Sequence, residues 1–128
     1  MKTLTLSLKK PWFDKIKSGE KKEEYRECSD HWIRRFIKDF KTMSAFRFEM
    51  CFRDGAFLTK DLVDDVQDCL NCLDFDRLVF TLGYPKAGDT ERRLVFKNPK
   101  IRIGTGLPEW GAVPGKQYFV ITFGDRVE

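Results

Sequence analysis

Residues 3–26 read TLTLSLKKPWFDKIKSGEKKEEYR, and the order of signals in this stretch sets the architecture. Residues 3–9 alternate strictly, with Leu4, Leu6 and Leu8 on one side, the pattern of a half-buried strand. Pro11 then opens a short helix, at a position where a missing N–H costs no intrahelical bond. Trp12 and Ile16 stand four residues apart and share a helix face. Gly19 predicts a left-handed cap that stops the helix. Lys21 to Glu24 is charged throughout. An extended segment starting near Lys22 places Glu24 and Arg26 on one face, with Lys21 in the loop just before.

Downstream, residues 31–40 predict an amphipathic helix, because Trp32, Phe36 and Phe40 recur every four residues. Phe46, Phe48, Met50 and Phe52 alternate as in a strand, with a turn at Asp54-Gly55. Residues 58–73 predict a second amphipathic helix, capped by Thr59 and lined by Leu62, Val66 and Leu70. The last third is strand-rich. Strands are expected at 77–82, 91–96, 100–103 and 117–123, with a Gly/Pro loop over 104–115. The final strand is apolar on nearly both faces and is therefore expected at the centre of its sheet. The sum is an α+β domain with five or six short strands in a curved β-sheet or small β-barrel, flanked by two or three helices.

A chain of 128 residues is the size of one domain, so residues 1–128 are read as a single unit with an insertion at about 42–76. Charge is unevenly spread: residues 1–41 carry +5, residues 42–78 carry −4 and residues 79–128 carry +3. Two basic ends around an acidic middle suit either a phosphate-binding patch or an ordinary solvated surface. No apolar run approaches the ~20 residues that span a bilayer, so no membrane partner is expected. The Met1-Lys2-Thr3-Leu4 start lacks a signal-peptide pattern, so the expected location is cytoplasmic. The four cysteines are then expected as thiols.

In residues 19–26, Gly19, Lys21, Glu24 and Arg26 form a G-x-K-x-x-E-x-R pattern behind the Pro11-Trp12 helix. A second group comprises Gly83-Tyr84, Pro108-Glu109-Trp110-Gly111 and Pro114-Gly115-Lys116-Gln117-Tyr118-Phe119. On these residues the chain resembles the ASCH domain family of the PUA-like superfamily, in particular small members from bacteria and their phages. The resemblance covers roughly residues 3–40 and 77–124. It implies a small barrel with a cleft, and RNA or a nucleoside as ligand. One branch of the family consists of amidohydrolases that deacetylate N4-acetylcytidine with a Lys and a Thr of this motif and a distant Glu. Lys21 matches the Lys, whereas Glu24 stands where that branch has Thr.

The residues themselves allow several chemistries. A desolvated Lys21 beside another cation acts as a base, while Glu24 activates water or holds the Lys. In a binding site, Arg26 instead clamps a phosphate bidentately and Glu24 accepts from a base amino group. A solvated charge run is the plain alternative. Glu109 is the candidate second carboxylate. Trp110 is either a plug for the barrel end or a stacking surface for a base, and Tyr84 either lines the cleft or packs on a sheet edge. Cys28, His31, Cys69 and Cys72 have spacings that zinc accepts, but Cys69 and Cys72 fall at the end of an amphipathic helix, where packing as small hydrophobes is expected instead. No metal or cofactor is therefore expected. The functional expectation is an RNA- or nucleotide-binding domain with a hydrolytic Lys/Glu/Arg cleft. The alternatives are a non-catalytic RNA-binding module, or a phage or host interaction domain using the acidic middle.

Overall fold

The computed structural model describes residues 2–36, 52–53, 56–57, 64, 66–68, 70 and 75–127. The chain divides into two compact units. The first comprises Met1–Glu24, Asp74–Lys100 and Thr122–Glu128, the second Tyr25–Leu73 and Ile101–Ile121.

In the first unit, strand β1 (Thr3–Leu8) buries Leu4, Leu6 and Leu8, as its alternation requires. It pairs in parallel with β5 (Arg77–Leu82), Thr3 opposite Arg77 and Leu8 opposite Leu82. β5 pairs antiparallel with β6 (Arg93–Lys97), giving the order β1-β5-β6. The central strand buries Leu78 and Phe80. Residues 124–127 then run beside β6, where the Gly124 N–H donates to the Lys97 carbonyl at 2.8 Å and Val127 to Val95 at 2.7 Å. A Cβ at Gly124 would stand 2.9 Å from that Lys97 oxygen, so this close approach needs glycine.

Helix α1 (Lys10–Lys17) follows β1, with Pro11 in its first turn. It packs against β5 through Phe13 and Ile16, both buried, while Trp12 is only half-buried. Phe13, which the four-residue spacing of Trp12 and Ile16 did not single out, is thus the second buried side chain of the helix. The strand expected from Glu91 begins two residues later, because Thr90–Arg92 form a 3-10 turn.

The second unit is built on a sheet of order β2-β8-β7, with β2 at Glu23–Glu27, β7 at Lys100–Thr105 and β8 at Gln117–Thr122. Tyr118, Phe119, Val120 and Ile121 of β8 are all buried, in keeping with its central place. Helix α2 (Asp30–Phe36) inserts Ile33 and Phe36, and the Phe36 ring meets Phe119 edge-on at 5.2 Å. Residues 64, 66–68 and 70 are helical, with Val66 and Leu70 buried as their spacing predicts.

Gln67 has a further task in this unit. Its amide Nε2 donates to the Ile101 carbonyl at 3.2 Å, and its Oε1 accepts from the Ile103 N–H at 3.1 Å. One side chain thereby imitates a neighbouring strand along β7, an edge that would otherwise invite intermolecular pairing. Strands β3 (Phe52–Arg53) and β4 (Ala56–Phe57) pair antiparallel, Phe52 opposite Phe57. The expectations on Phe40, Phe46, Phe48, Met50, the Asp54-Gly55 turn, Thr59, Leu62, Cys69 and Cys72 lie outside the described residues.

The α+β class stands. Among the described residues, the six longer strands form two three-stranded sheets and no closed barrel. No helix among them is long and apolar enough to cross a membrane.

Candidate functional site

The end of α1 is folded back on itself. Gly19 adopts φ 85°, where a side chain would be strained, and its N–H donates to the Ile16 carbonyl at 3.1 Å. The Lys15 carbonyl accepts both the Ser18 hydroxyl and the Lys21 N–H, each at 3.0 Å. These bonds fix the Lys21 backbone against the helix end and turn its side chain inward. Lys21 is 2% exposed and Glu24 5%, while Glu20 and Lys22 beside Lys21 stay in solvent. The Lys21 Nζ donates to Glu24 Oε1 at 2.9 Å. The same Nζ lies 4.3 Å from the centroid of the Trp12 ring, over which Lys15 Nζ also stands at 5.4 Å. Lys21 is thus placed as a donor to Glu24 on the face of the Trp12 ring, which it shares with Lys15.

The structure brings together Lys21 and Glu24 and adds Trp12 to them. It gives Arg26 a different setting. In the second unit, the Arg26 guanidinium carbon stands 5.0 Å from the Trp32 ring centroid, and that of Arg35 at 5.4 Å. Trp32 also stacks on Phe36 at 5.5 Å and 22° and takes His31 edge-on at 4.6 Å. The result is an aromatic and cationic cluster joining α2 to β2.

The 104–115 loop of the second unit is held by two tyrosines. The Tyr25 hydroxyl accepts the Leu107 N–H and the Tyr118 hydroxyl accepts the Val113 N–H, both at 2.9 Å. A Cβ at Gly106 would come within 2.5 Å of Tyr25 Cζ, so the ring lies directly on the backbone. Within this loop, Pro108–Trp110 form a 3-10 turn that leaves Glu109 exposed and Trp110 half-buried. Tyr84, in the first unit, is 95% exposed, so it neither packs on a sheet edge nor lines a cleft.

Cys28 is a free thiol whose Sγ donates weakly to the Gln117 carbonyl at 3.9 Å. Burial pushes its pKa up to about 12, against a smaller opposing effect of the Lys116 charge. Such a thiol is neither nucleophile nor ready ligand. Among the described residues no three His, Cys, Asp or Glu side chains gather as a metal site.

Sequence reasoning missed Trp12 as a partner of Lys21, and missed Trp32 and Arg35 as partners of Arg26. An exposed-looking Pro-Trp at a helix start was the one available signal for the first. No family model matches the chain, and neither a curated protein nor a solved structure matches it.

Proposed function

We propose that this chain is an ASCH-type, PUA-like domain that binds RNA or a modified nucleoside, with the Lys21–Glu24 pair as its functional centre. The observation that carries this reading is the burial of both charges. A charge run that serves only solubility stays in water. Withdrawing an ammonium and a carboxylate costs several kcal/mol per ion, and apolar residues of similar volume often stabilise as well or better. A buried pair of opposite charges is therefore better explained by chemistry than by stability alone.

In the hydrolytic form of the proposal, Glu24 takes a proton from water, and the resulting hydroxide adds to an amide carbonyl on the base. The Lys21 ammonium stabilises the developing oxyanion and then protonates the departing amino group. Acid and free amine are the products. The Trp12 ring keeps the ammonium placed and shields it from solvent. The Glu at position 24, where the deacetylase branch has Thr, favours a second form in which the same pair recognises a base without turnover: Glu24 accepts from an exocyclic amino group and Lys21 donates to a carbonyl.

Incubation with N4-acetylcytidine and with RNA separates the two. The hydrolase releases acetate or cleaved RNA and loses that activity in Lys21→Ala and Glu24→Gln. The binding module shows salt-dependent RNA affinity with no product. A protein that does neither at low salt ends the proposal.

A further inference from the structure

Tyr84 is the most exposed large apolar side chain among the described residues, at 95%. A single exposed aromatic needs no explanation by itself. Its support does. Thr81 Oγ1 donates to the Gly83 carbonyl at 2.8 Å, and the Gly83 N–H donates to the Leu8 carbonyl at 3.3 Å. On the other side of the loop, Arg93 Nη1 donates to the carbonyls of Lys86 at 3.0 Å and Asp89 at 2.7 Å, and Nη2 to that of Pro85 at 3.4 Å. One guanidinium thus spans three carbonyls of the segment that carries the ring. Loops that merely connect strands are seldom tied so fully, and the ordering entropy of this one is already met before any partner arrives.

The position is also informative. β1 and β5 are parallel and end in register, Leu8 opposite Leu82. The chain leaves both strands at the same end of the sheet, and the Gly83 N–H bond to the Leu8 carbonyl sets the turn that carries Tyr84 next to the Leu8–Lys9 step. Lys9, Lys10 and Lys86 are all exposed there, with Lys10 held by Asp14 at 2.7 Å. Lysine is depleted in the cores of protein–protein interfaces. A tyrosine face among lysines is instead the arrangement that stacks one unpaired base and draws in the flanking phosphates.

We infer that Tyr84 is a stacking platform for an unpaired base of single-stranded nucleic acid, with Lys9 and Lys86 holding the adjoining phosphates. The inference rests on the nucleic-acid reading above and adds strandedness and a docking point to it. Stacking uses the ring and not the hydroxyl, so Phe substitutes for Tyr and Ala does not.

The test is fluorescence anisotropy at low salt with a labelled single-stranded RNA, its DNA counterpart and the duplex of the same sequence. Tyr84→Ala is expected to weaken single-strand binding about 5- to 150-fold, the range of one lost base–aromatic stack. Tyr84→Phe should bind like the unsubstituted protein, and duplex binding should not respond to either change. Lys86→Ala should lower the slope of log affinity against log salt by about 0.7. If the unsubstituted protein binds no oligonucleotide, both this inference and the proposed function fall. If it binds and Tyr84→Ala binds equally well, or loses duplex and single strand alike, only the inference falls, and the exposed ring is left to a protein partner.

Discussion

In the first unit two opposite charges, Lys21 and Glu24, are withdrawn from water and held at 2.9 Å. In the second, Arg26 and Arg35 remain only partly buried, with guanidinium carbons 5.0 and 5.4 Å from the Trp32 centroid. Both units set cations on a tryptophan. The first withdraws a whole ammonium with its opposite charge, whereas the second buries the Arg26 Nε and leaves both arginine side chains partly exposed. The difference is between a charge buried with its opposite and a charge that keeps part of its surface in water. The eight residues from Gly19 to Arg26 contain both situations.

The largest effect should come from breaking the buried pair. Lys21→Ala should destabilise the protein by about 3–5 kcal/mol, since it removes the buried cation paired with the Glu24 carboxylate. The double variant Lys21→Met, Glu24→Leu should recover most of that loss in urea unfolding while losing every ligand-dependent function. Equal destabilisation by single and double variants would mean that the pair has a purely structural role.

A second change asks what supports the second unit instead of buried charge. Gly106→Ala forces the Tyr25 ring off the backbone and should cost about 1–3 kcal/mol through overpacking. The loss of protection at the Leu107 amide in hydrogen exchange would locate the damage. Arg35→Ala should cost clearly less than Lys21→Ala, because water can take over much of the solvation of a partly exposed guanidinium. A loss as large as that of Lys21→Ala would erase the contrast between the units.

The smallest effect concerns Cys28, whose pKa rises from 9.0 to about 12 on folding. The folded state therefore holds its thiol proton through a pH range in which the unfolded chain releases it. Stability from this group is full below pH 9 and is lost as pH rises from there towards 12. Followed by denaturant unfolding across that range, the stability of the unsubstituted protein should fall relative to that of Cys28→Ala as pH rises above 9, and the difference should be constant below it. Native Cys28 should also resist alkylation at pH 8 until the chain unfolds.

Much of the scaffold was legible because it rests on local pattern. The Leu4/Leu6/Leu8 alternation, the Gly19 stop and the two-faced apolar run of β8 each encode their structure within a few residues. The site was less legible for a physical reason. Lys21 lies in a charged run that reads as solvated, and its burial depends on a backbone bond to Lys15 and a ring at Trp12, beyond the reach of strand periodicity. Tyr84 was ambiguous because the loop that carries it is held by Arg93, nine residues on, whose side chain bonds loop carbonyls that no local pattern announces. The same commitment of Arg93 accompanies the late start of β6, which periodicity alone placed at Glu91.

The parallel pairing of β1 with β5 carries a consequence for how the chain is made. The Lys2 N–H donates to Asp76 Oδ2 across a separation of 74 residues, at the edge of the same pairing. During synthesis β1 must wait, its Leu4, Leu6 and Leu8 uncovered, until the whole crossover and β5 have left the ribosome. Contacts of such long sequence separation slow folding and lengthen exposure to wrong partners. A circular permutant in which β1 follows β5 and β6 in the chain would remove that wait. Its refolding rate would report how much of the barrier is this one late encounter.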